Sequence, residues 1–163
     1  MLGHWFSRKR NSKFITIVSP IAGNMIPSND ISDPSFKGVA IRPLEGKVFS
    51  PAKGKVTHVT PETCTIGLMT EQGLEINIRL IQDELFTETE EFVILVKEGD
   101  MISVGDPLME FSLQLTDERV ENIVSSVMVA NMDRVESVEV PPAQTIGLND
   151  WVMRVKLKST EKA

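Results

Sequence analysis

The feature that most constrains the fold is a succession of short apolar runs separated by turn-forming residues. Val, Ile, Thr and Phe predominate in these runs, and clusters of Gly, Pro, Asn and Asp interrupt them. This pattern predicts β-strands, whereas the 3.6-residue periodicity of amphipathic helices is weak. The predicted strands are Phe14–Val18, Lys47–Phe49, Lys55–Val59, Thr65–Met69, Leu74–Leu80, Phe92–Val96, Pro107–Leu113, Ser126–Ala130 and Trp151–Leu157.

The order of these elements decides between sheet architectures. Strands do not alternate with helices, which argues against a parallel βαβ sheet. A short helical stretch is predicted only at Asp117–Val124, with Thr116 as its N-cap. We therefore predict an all-β protein, an antiparallel β-sandwich or barrel-like single domain with at most one or two short helical turns. A chain of 163 residues is long enough to bury a sizeable core.

The chain contains an imperfect internal repeat. Ile17–Gly23 (IVSPIAG) resembles Val48–Gly54 (VFSPAKG), and Val96–Asp106 holds two Gly-Asp turns one strand apart. Glycine supplies the positive φ that such turns need, so these segments predict strand–turn–strand units. Turn geometry alone explains Asp100 and Asp106, and it is a simpler interpretation than a metal site.

Composition excludes several classes of protein. The 17 basic and 23 acidic residues make a net charge of −6, which argues against a nucleic-acid partner. One cysteine and two histidines, His4 and His58, cannot supply a disulfide framework or a multi-cysteine zinc site. We expect neither a metal nor a cofactor.

The two ends of the chain differ from its body. Residues 1–13 contain Leu2 and Trp5, followed by four basic residues and no acidic one. Two interpretations stay open: a disordered, solvated tail, or a segment lying on an anionic membrane surface. The predicted domain covers residues 14–158, and residues 159–163 form a C-terminal tail.

Six segments of the chain carry a resemblance to a known family when they are taken together and in order. They are Ile17–Gly23 (IVSPIAG), Val39–Pro51 (VAIRPLEGKVFSP), Ile66–Glu75 (IGLMTEQGLE), Val96–Asp106 (VKEGDMISVGD), Leu108–Phe111 (LMEF) and Ala130–Asp133 (ANMD). These segments are similar to the enzyme IIA component of the glucose family in the phosphoenolpyruvate-dependent sugar phosphotransferase system. The resemblance implies an antiparallel β-sandwich. It also implies a phosphoryl relay, from the histidine-containing phosphocarrier protein to a histidine of enzyme IIA, and then to a cysteine of enzyme IIB.

The resemblance places the family's two active-site histidines on residues that are not histidine. The phosphorylated histidine falls on Arg79 and the supporting histidine falls on Cys64. A guanidinium stays protonated and has no lone pair to offer as a nucleophile. No catalytic residue is therefore expected, which argues against enzymatic activity.

Strand alternation gives a second, independent argument about this region. Leu74, Ile76, Ile78 and Leu80 share the predicted core face, which leaves Glu75, Asn77 and Arg79 on the other face. In the family that other face docks the partner proteins, and apolar side chains surround its centre.

Several residues around this face depart from the family pattern. Thr60 and Asn77 stand where the resemblance leads us to expect apolar side chains, and the loop that contains Phe36 is shorter than usual. Asp83, in contrast, matches the family. Loss of apolar docking residues and loss of the nucleophile point in the same direction.

Each candidate residue has an alternative interpretation. Cys64 is either an inert, partly buried thiol or a phosphoryl acceptor whose pKa Arg79 lowers. Arg79 either binds an anion such as phosphate or carboxylate, or pairs with Glu75 or Asp83.

The sequence therefore predicts an enzyme IIA-like protein that has lost the phosphorylatable histidine and acts as a non-catalytic regulatory or binding protein. Its expected partner is a protein, such as a phosphotransferase-system component, a permease or a metabolic enzyme. The alternative is an active phosphocarrier in sugar transport that uses Cys64. We expect a cytoplasmic location, with membrane-surface contact through residues 2–13 as a further hypothesis.

Overall fold

The computed structural model describes residues 14–27, 37–81, 92–111 and 123–158, and for Ile81 the backbone alone. This part of the chain forms fourteen strands and two 3-10 turns, Pro61–Thr63 and Met132–Arg134, and contains no helix able to cross a membrane. The strands are β1 Phe14–Val18, β2 Gly23–Met25, β3 Gly38–Pro43, β4 Lys47–Phe49, β5 Gly54–Thr60, β6 Thr65–Thr70, β7 Glu75–Ile81, β8 Phe92–Ile94, β9 Met101–Ile102, β10 Pro107–Phe111, β11 Val124–Val129, β12 Val135–Glu139, β13 Thr145–Ile146 and β14 Trp151–Leu157.

The strands assemble into three antiparallel sheets. The largest has eight strands in the order β13-β2-β3-β11-β7-β6-β5-β9, and two three-stranded sheets have the orders β1-β14-β12 and β4-β10-β8. Every strand pairing in the described residues is antiparallel. The predicted all-β antiparallel architecture is confirmed.

One hydrophobic core joins the three sheets. Its fully buried members include Ile41, Ile66 and Ile78 from the large sheet, Leu108 from the sheet that contains β10, and Val152 from the sheet that contains β14. Because β7 buries alternate residues against this core, Glu75, Asn77 and Arg79 lie on the other face of the large sheet.

Most predicted strands match the structure closely. Phe14–Val18, Lys47–Phe49 and Trp151–Leu157 are exact, and the others differ by a few residues at their ends. The sequence did not predict five of the strands, namely β2, β3, β9, β12 and β13. Three of these have only two or three residues, β3 begins with glycine and ends with proline, and β12 carries exposed Glu and Ser at its centre. Such strands lack the length or the alternation on which recognition depends.

The helical stretch predicted at Asp117–Val124 lies mostly outside the described residues. Its last residue, Val124, begins β11, so the helical prediction is wrong at that position. Val124 lies opposite Ile81 of β7, and the ladder that continues from this pair to Val129 holds it in the sheet.

The internal repeat corresponds to two similar turns. The Ser19 hydroxyl donates to the Ile21 carbonyl at 2.5 Å, and the Ser50 hydroxyl donates to the Ala52 carbonyl at 2.7 Å. The two turns are also joined crosswise, since the Val18 N–H donates to the Pro51 carbonyl (3.2 Å) and the Phe49 N–H to the Pro20 carbonyl (2.8 Å). The repeated sequence thus builds two units that hold each other in place.

Candidate functional site

The candidate site is built on the β6–β7 hairpin, whose turn lies at Glu71–Gly73. Gly73 has a φ of 102°, and its N–H donates to the Thr70 carbonyl at 3.0 Å. Only glycine takes this conformation at little cost, so the turn sets the register of the two strands. The predicted alternation along β7 is confirmed, because Leu74, Ile76, Ile78 and Leu80 are all buried.

Register brings residues from five strands into a row through Arg79. Side chains at directly opposite positions of neighbouring antiparallel strands share a face and lie about 5 Å apart at Cβ. We call this set the Arg79 row; in order across the sheet it consists of Ala40, Ser126, Arg79, Thr65 and Thr60. Arg79 is its only charged member, and three of the other four carry hydroxyl groups.

A second row of residues on the same face lies parallel to the first, two residues away along each of β7 and β11. We call it the Asn77 row; its members are Gly38, Met128, Asn77, Gly67 and His58. The structure thus brings the predicted site residues Thr60, Asn77 and Arg79 to one face and adds Ser126 and His58 to them.

The Arg79 guanidinium is exposed, and among the described residues it makes no hydrogen bond or ion pair. Its predicted pairing with Glu75 is therefore wrong. Glu75 lies four residues away along the same strand, a separation of about 13 Å at 3.3 Å per residue. Asp83, the other proposed partner, lies outside the described residues, as does Phe36.

Two buried polar atoms beside Arg79 lack hydrogen-bond partners. Ser126 is fully buried and its Oγ is unpartnered, and the buried Oδ1 of Asn77 is unpartnered as well. An unsatisfied buried polar group costs about 1–3 kcal/mol, so such atoms are uncommon in folded proteins. Ser126 lies directly opposite Arg79, and Asn77 lies two residues from Arg79 on β7.

Cys64 is joined to the same strand through its backbone, but its side chain belongs to the core. The residue follows the Pro61–Thr63 turn in a left-handed conformation, with φ of 50°, and only 4% of its surface is exposed. Its carbonyl accepts the Leu80 N–H at 3.1 Å, which places it next to the strand that carries Arg79. Cys64 is thus more deeply buried than the partly buried thiol that the sequence predicted.

From the sequence, His58 is only one of two histidines, whereas the structure places it on the same face as Asn77. Its half-buried imidazole lies over Gly67: a Cβ added there would come within 2.1 Å of Cε1 and 2.3 Å of Nδ1. Nδ1 also lies 3.3 Å from the Thr57 hydroxyl. Gly67 lies directly opposite Asn77 and has no side chain. A glycine inside a strand is the one sequence signal that could have indicated that the His58 ring packs there.

Glu75 marks the far end of the face and is held by the Ala130–Asp133 segment that follows β11. The Glu75 N–H donates to Asn131 Oδ1 at 2.9 Å, and Asn131 Nδ2 donates to the Gly73 carbonyl at 3.0 Å. The side chain of Asn131 therefore ties the hairpin turn to the end of β11.

The face can hold an anion more readily than a metal. No group of three or more His, Cys, Asp or Glu side chains in the described ranges is arranged to bind a metal ion. A guanidinium offers a planar fork of N–H donors that matches carboxylate and phosphate oxygens.

Comparison with known proteins agrees with this architecture. A chain described as glucose permease IIA from Mycoplasma capricolum superimposes with a TM-score of 0.71, covering 88% of this chain and 96% of that one. Its sequence is 20% identical, so this likeness speaks for the fold alone.

Sequence relatives carry the comparison further. The glucose-specific EIIA component of the phosphotransferase system from Staphylococcus epidermidis is 35% identical over 144 residues, or 85% of this chain and 87% of the relative. The Staphylococcus aureus component is 34% identical over 138 residues, or 81% and 83% of the two chains. The model of the family "phosphoenolpyruvate-dependent sugar phosphotransferase system, EIIA 1" matches residues 15–135. The chain therefore belongs to the EIIA family of the sugar phosphotransferase system, as a glucose-specific EIIA-like member.

Proposed function

We propose that this EIIA-family protein binds partners through the sheet face that carries the Arg79 row and the Asn77 row, which we call the Arg79 face, and does not itself carry a phosphoryl group. The observation that carries the proposal is Arg79, an exposed arginine at the position where the family resemblance places the phosphorylated histidine. Guanidinium has no lone pair with which to attack phosphorus, so a phosphoryl group cannot be accepted there. The remaining function of such a face is recognition.

Burial of Cys64 supports the same proposal. A cysteine reacts as a thiolate in an exposed, electropositive setting, whereas Cys64 packs into the hydrophobic core. His58 is a histidine on the same face, but it lies in the Asn77 row and not at either family position. The face therefore lacks a nucleophile at the places where the family chemistry requires one.

The proposed partner is a protein of the cytoplasm, such as a phosphotransferase-system component, a permease or a metabolic enzyme. A member that is always unphosphorylated would bind such a partner constantly, without a phosphorylation-dependent release.

Intact-mass measurement tests the proposal directly. The protein is incubated with phosphoenolpyruvate, enzyme I and the histidine-containing phosphocarrier protein of the same organism, and an authentic EIIA serves as a positive control in the same tube. We expect the control to gain a phosphoryl adduct and this chain to gain none. Stoichiometric labelling of this chain would refute the proposal.

Two variants identify the acceptor if labelling occurs. Loss of the adduct in Cys64→Ser would assign the chemistry to Cys64 and establish the alternative function of an active phosphocarrier. Loss of the adduct in His58→Gln would assign it to the histidine on the same face.

A further inference from the structure

A pocket of about 170 Å³ lies where four turns of the chain meet. Two of them are the repeated Ser-Pro turns, which contribute Val18 and Phe49, the last residues of β1 and β4, together with the serine that follows each. None of the described residues that line the pocket belongs to the Arg79 row or the Asn77 row. The pocket is therefore a separate feature from the face on which the proposed function depends.

The other two turns share one hydrogen-bonding pattern. In the first, the Ser103 N–H donates to Asp106 Oδ2 at 2.8 Å. In the second, the Gly147 N–H donates to Asp150 Oδ2 at 2.8 Å. The other carboxylate oxygen of each aspartate makes no hydrogen bond within the described residues. Each turn therefore presents a carboxylate with an oxygen available to a ligand.

The internal repeat extends to these two turns. The Asp106 carbonyl accepts the Ser50 N–H at 2.8 Å. In the same way, the Asp150 carbonyl accepts the Ser19 N–H at 2.8 Å. The second turn has no glycine before its aspartate, because Asn149, with φ of 78°, takes the left-handed conformation there. The residues around the pocket thus form matched pairs from the two halves of the repeat.

The walls of the pocket are apolar. Val18 and Phe49 are half-buried, whereas Val104 and Leu148 are 49% and 38% exposed at its rim. A cavity of about 150 Å³ with apolar walls takes up a benzene molecule, so this pocket has room for one aromatic ring. Asn149 supplies the one side-chain amide among the described lining residues, and its oxygen can accept an indole N–H. The pocket therefore suits a tryptophan side chain.

The charges around the pocket favour a cationic ligand. The four turns carry two acidic residues, Asp106 and Asp150. Their one basic residue, Lys53, pairs with Glu71 at 3.5 Å. Charges on the surface act over a Debye length of about 8 Å in physiological salt, so both aspartates influence a ligand in the pocket. An aromatic ring flanked by cations fits these surroundings better than a neutral or acidic one.

One segment of this chain has that composition. Residues 1–13, which lie outside the described residues, contain Trp5, a basic cluster at residues 8–10 and no acidic residue. The rest of the chain holds 13 basic and 23 acidic residues. The segment therefore carries the charge that the pocket lacks and the ring for which it has room.

The segment is also attached within reach of the pocket. It joins the described chain at Phe14, and Val18 in the pocket lies about 13 Å further along β1. Trp5 precedes Phe14 by nine residues, which span about 30 Å when extended. The connection is therefore long enough to turn back and bring Trp5 to the pocket.

We propose that residues 1–13 bind this pocket of their own chain, with the Trp5 ring between the apolar walls and the basic cluster against Asp106 and Asp150. A short covalent linker holds such a segment at an effective concentration of about millimolar. A contact that is too weak to form between separate molecules is then populated within one chain. Docking withholds the basic segment from anionic surfaces, and so opposes the membrane contact considered for residues 2–13.

Tryptophan fluorescence of the full chain tests the proposal. Trp151→Phe leaves Trp5 as the single tryptophan. We expect its emission at a shorter wavelength than that of a synthetic peptide with the sequence of residues 1–13, and a severalfold reduction in quenching by acrylamide. Both effects should be independent of protein concentration.

Three outcomes of this measurement would overturn the proposal. Emission equal to that of the peptide would mean that Trp5 is not docked. A shift that grows with protein concentration would assign the contact to a second copy of the chain. A shift that appears only after vesicles of anionic phospholipid are added would assign it to the membrane surface.

Matched variants of the reporter chain locate the contact. Leu148→Ser is expected to lower the equilibrium constant for docking at least about fivefold, because it removes apolar area from the pocket wall. Leu44→Ser, at a leucine 48% exposed outside the pocket, is the control and should have no effect. Circular dichroism checks that both are folded. Equal effects of the two variants would contradict the assignment of the pocket.

The two aspartates test the electrostatic part. Asp106→Asn combined with Asp150→Asn keeps an acceptor oxygen for each turn and removes both charges. The double variant is expected to lower the equilibrium constant for docking about two- to fivefold at low salt, and less at high salt. Docking of equal strength in this variant at low salt would refute the role of the basic cluster.

Methyl NMR provides a readout that does not use the reporter. Trp5→Ser should remove the ring-current shifts of the Val104 and Leu148 methyl groups and leave those of Leu44 unchanged. Val104 and Leu148 resonances that do not move in Trp5→Ser would overturn the proposal.

Discussion

Arg79 on β7 and Ser126 on β11 are directly opposite residues of one antiparallel pair, yet the first is exposed and the second fully buried. The next residue along β11, Ser125, faces the core and lies opposite Leu80. Both serine hydroxyls lack a partner. One strand therefore presents the same unsatisfied group to the core and to the candidate site, which makes each serine the natural control for the other.

Ser125→Ala is expected to stabilise the protein. The substitution removes a buried hydroxyl that forms no hydrogen bond, so the free energy of unfolding should rise by about 1 kcal/mol, at the low end of the penalty for an unsatisfied group. Urea unfolding measures the change. A loss of more than about 1 kcal/mol would mean that Ser125 does form a hydrogen bond in solution.

Arg79→Gln is expected to leave stability nearly unchanged. Its side chain is exposed and makes no ion pair in the described residues, so the free energy of unfolding should change by no more than about 0.5 kcal/mol. Thermal and urea unfolding check this. A large loss would assign Arg79 a structural role and make the variant unsuitable for binding studies.

Gly67→Ala is expected to destabilise the protein by displacing His58. The new Cβ would lie 2.1 Å from the imidazole Cε1, which forces the ring to move at a cost of about 1–2 kcal/mol. Adding His58→Ala to Gly67→Ala should restore much of the loss, although Thr57 Oγ1 at 2.7 Å limits full recovery. A double-mutant cycle from urea unfolding measures the coupling, and strictly additive effects would place the ring elsewhere.

Asn131→Ala is expected to loosen the β6–β7 hairpin. It removes both the acceptor of the Glu75 N–H and the donor to the Gly73 carbonyl, at a cost of about 1–3 kcal/mol. Faster hydrogen exchange at the Glu75 amide is the specific readout. Asn24→Ala, which removes an exposed acceptor of the Thr145 hydroxyl, serves as the control and should have little effect.

Native Cys64 is expected to react slowly with a thiol reagent. With 4% of the residue exposed, labelling requires local opening and should be at least about 100-fold slower than in urea. A Cys64→Ala, Ser103→Cys variant, which carries its one thiol at an exposed position, should label at the rate of a model peptide. Equal labelling rates for the folded wild-type protein and for the folded double variant would contradict the burial of Cys64.

Local sequence patterns determined much of the molecule. The strand positions, the Gly73 turn, the alternation of buried and exposed residues along β7, and the resemblance of the two Ser-Pro turns all follow from interactions among residues close in the chain. The family also follows from sequence, because its motifs recur in order. The five missed strands lack such local signals, since tertiary pairing imposes their extended conformation.

The tertiary structure alone decided which residues share the candidate site. Ser126 and His58 come from strands far from Arg79 in sequence, and the cross-strand registers of β11, β7, β6 and β5 place them on one face. The absence of a Glu75–Arg79 pair and the depth of Cys64 were likewise beyond local reasoning. Sequence specifies which face each side chain takes, because strands have a period of two, but only the register between strands specifies its neighbours.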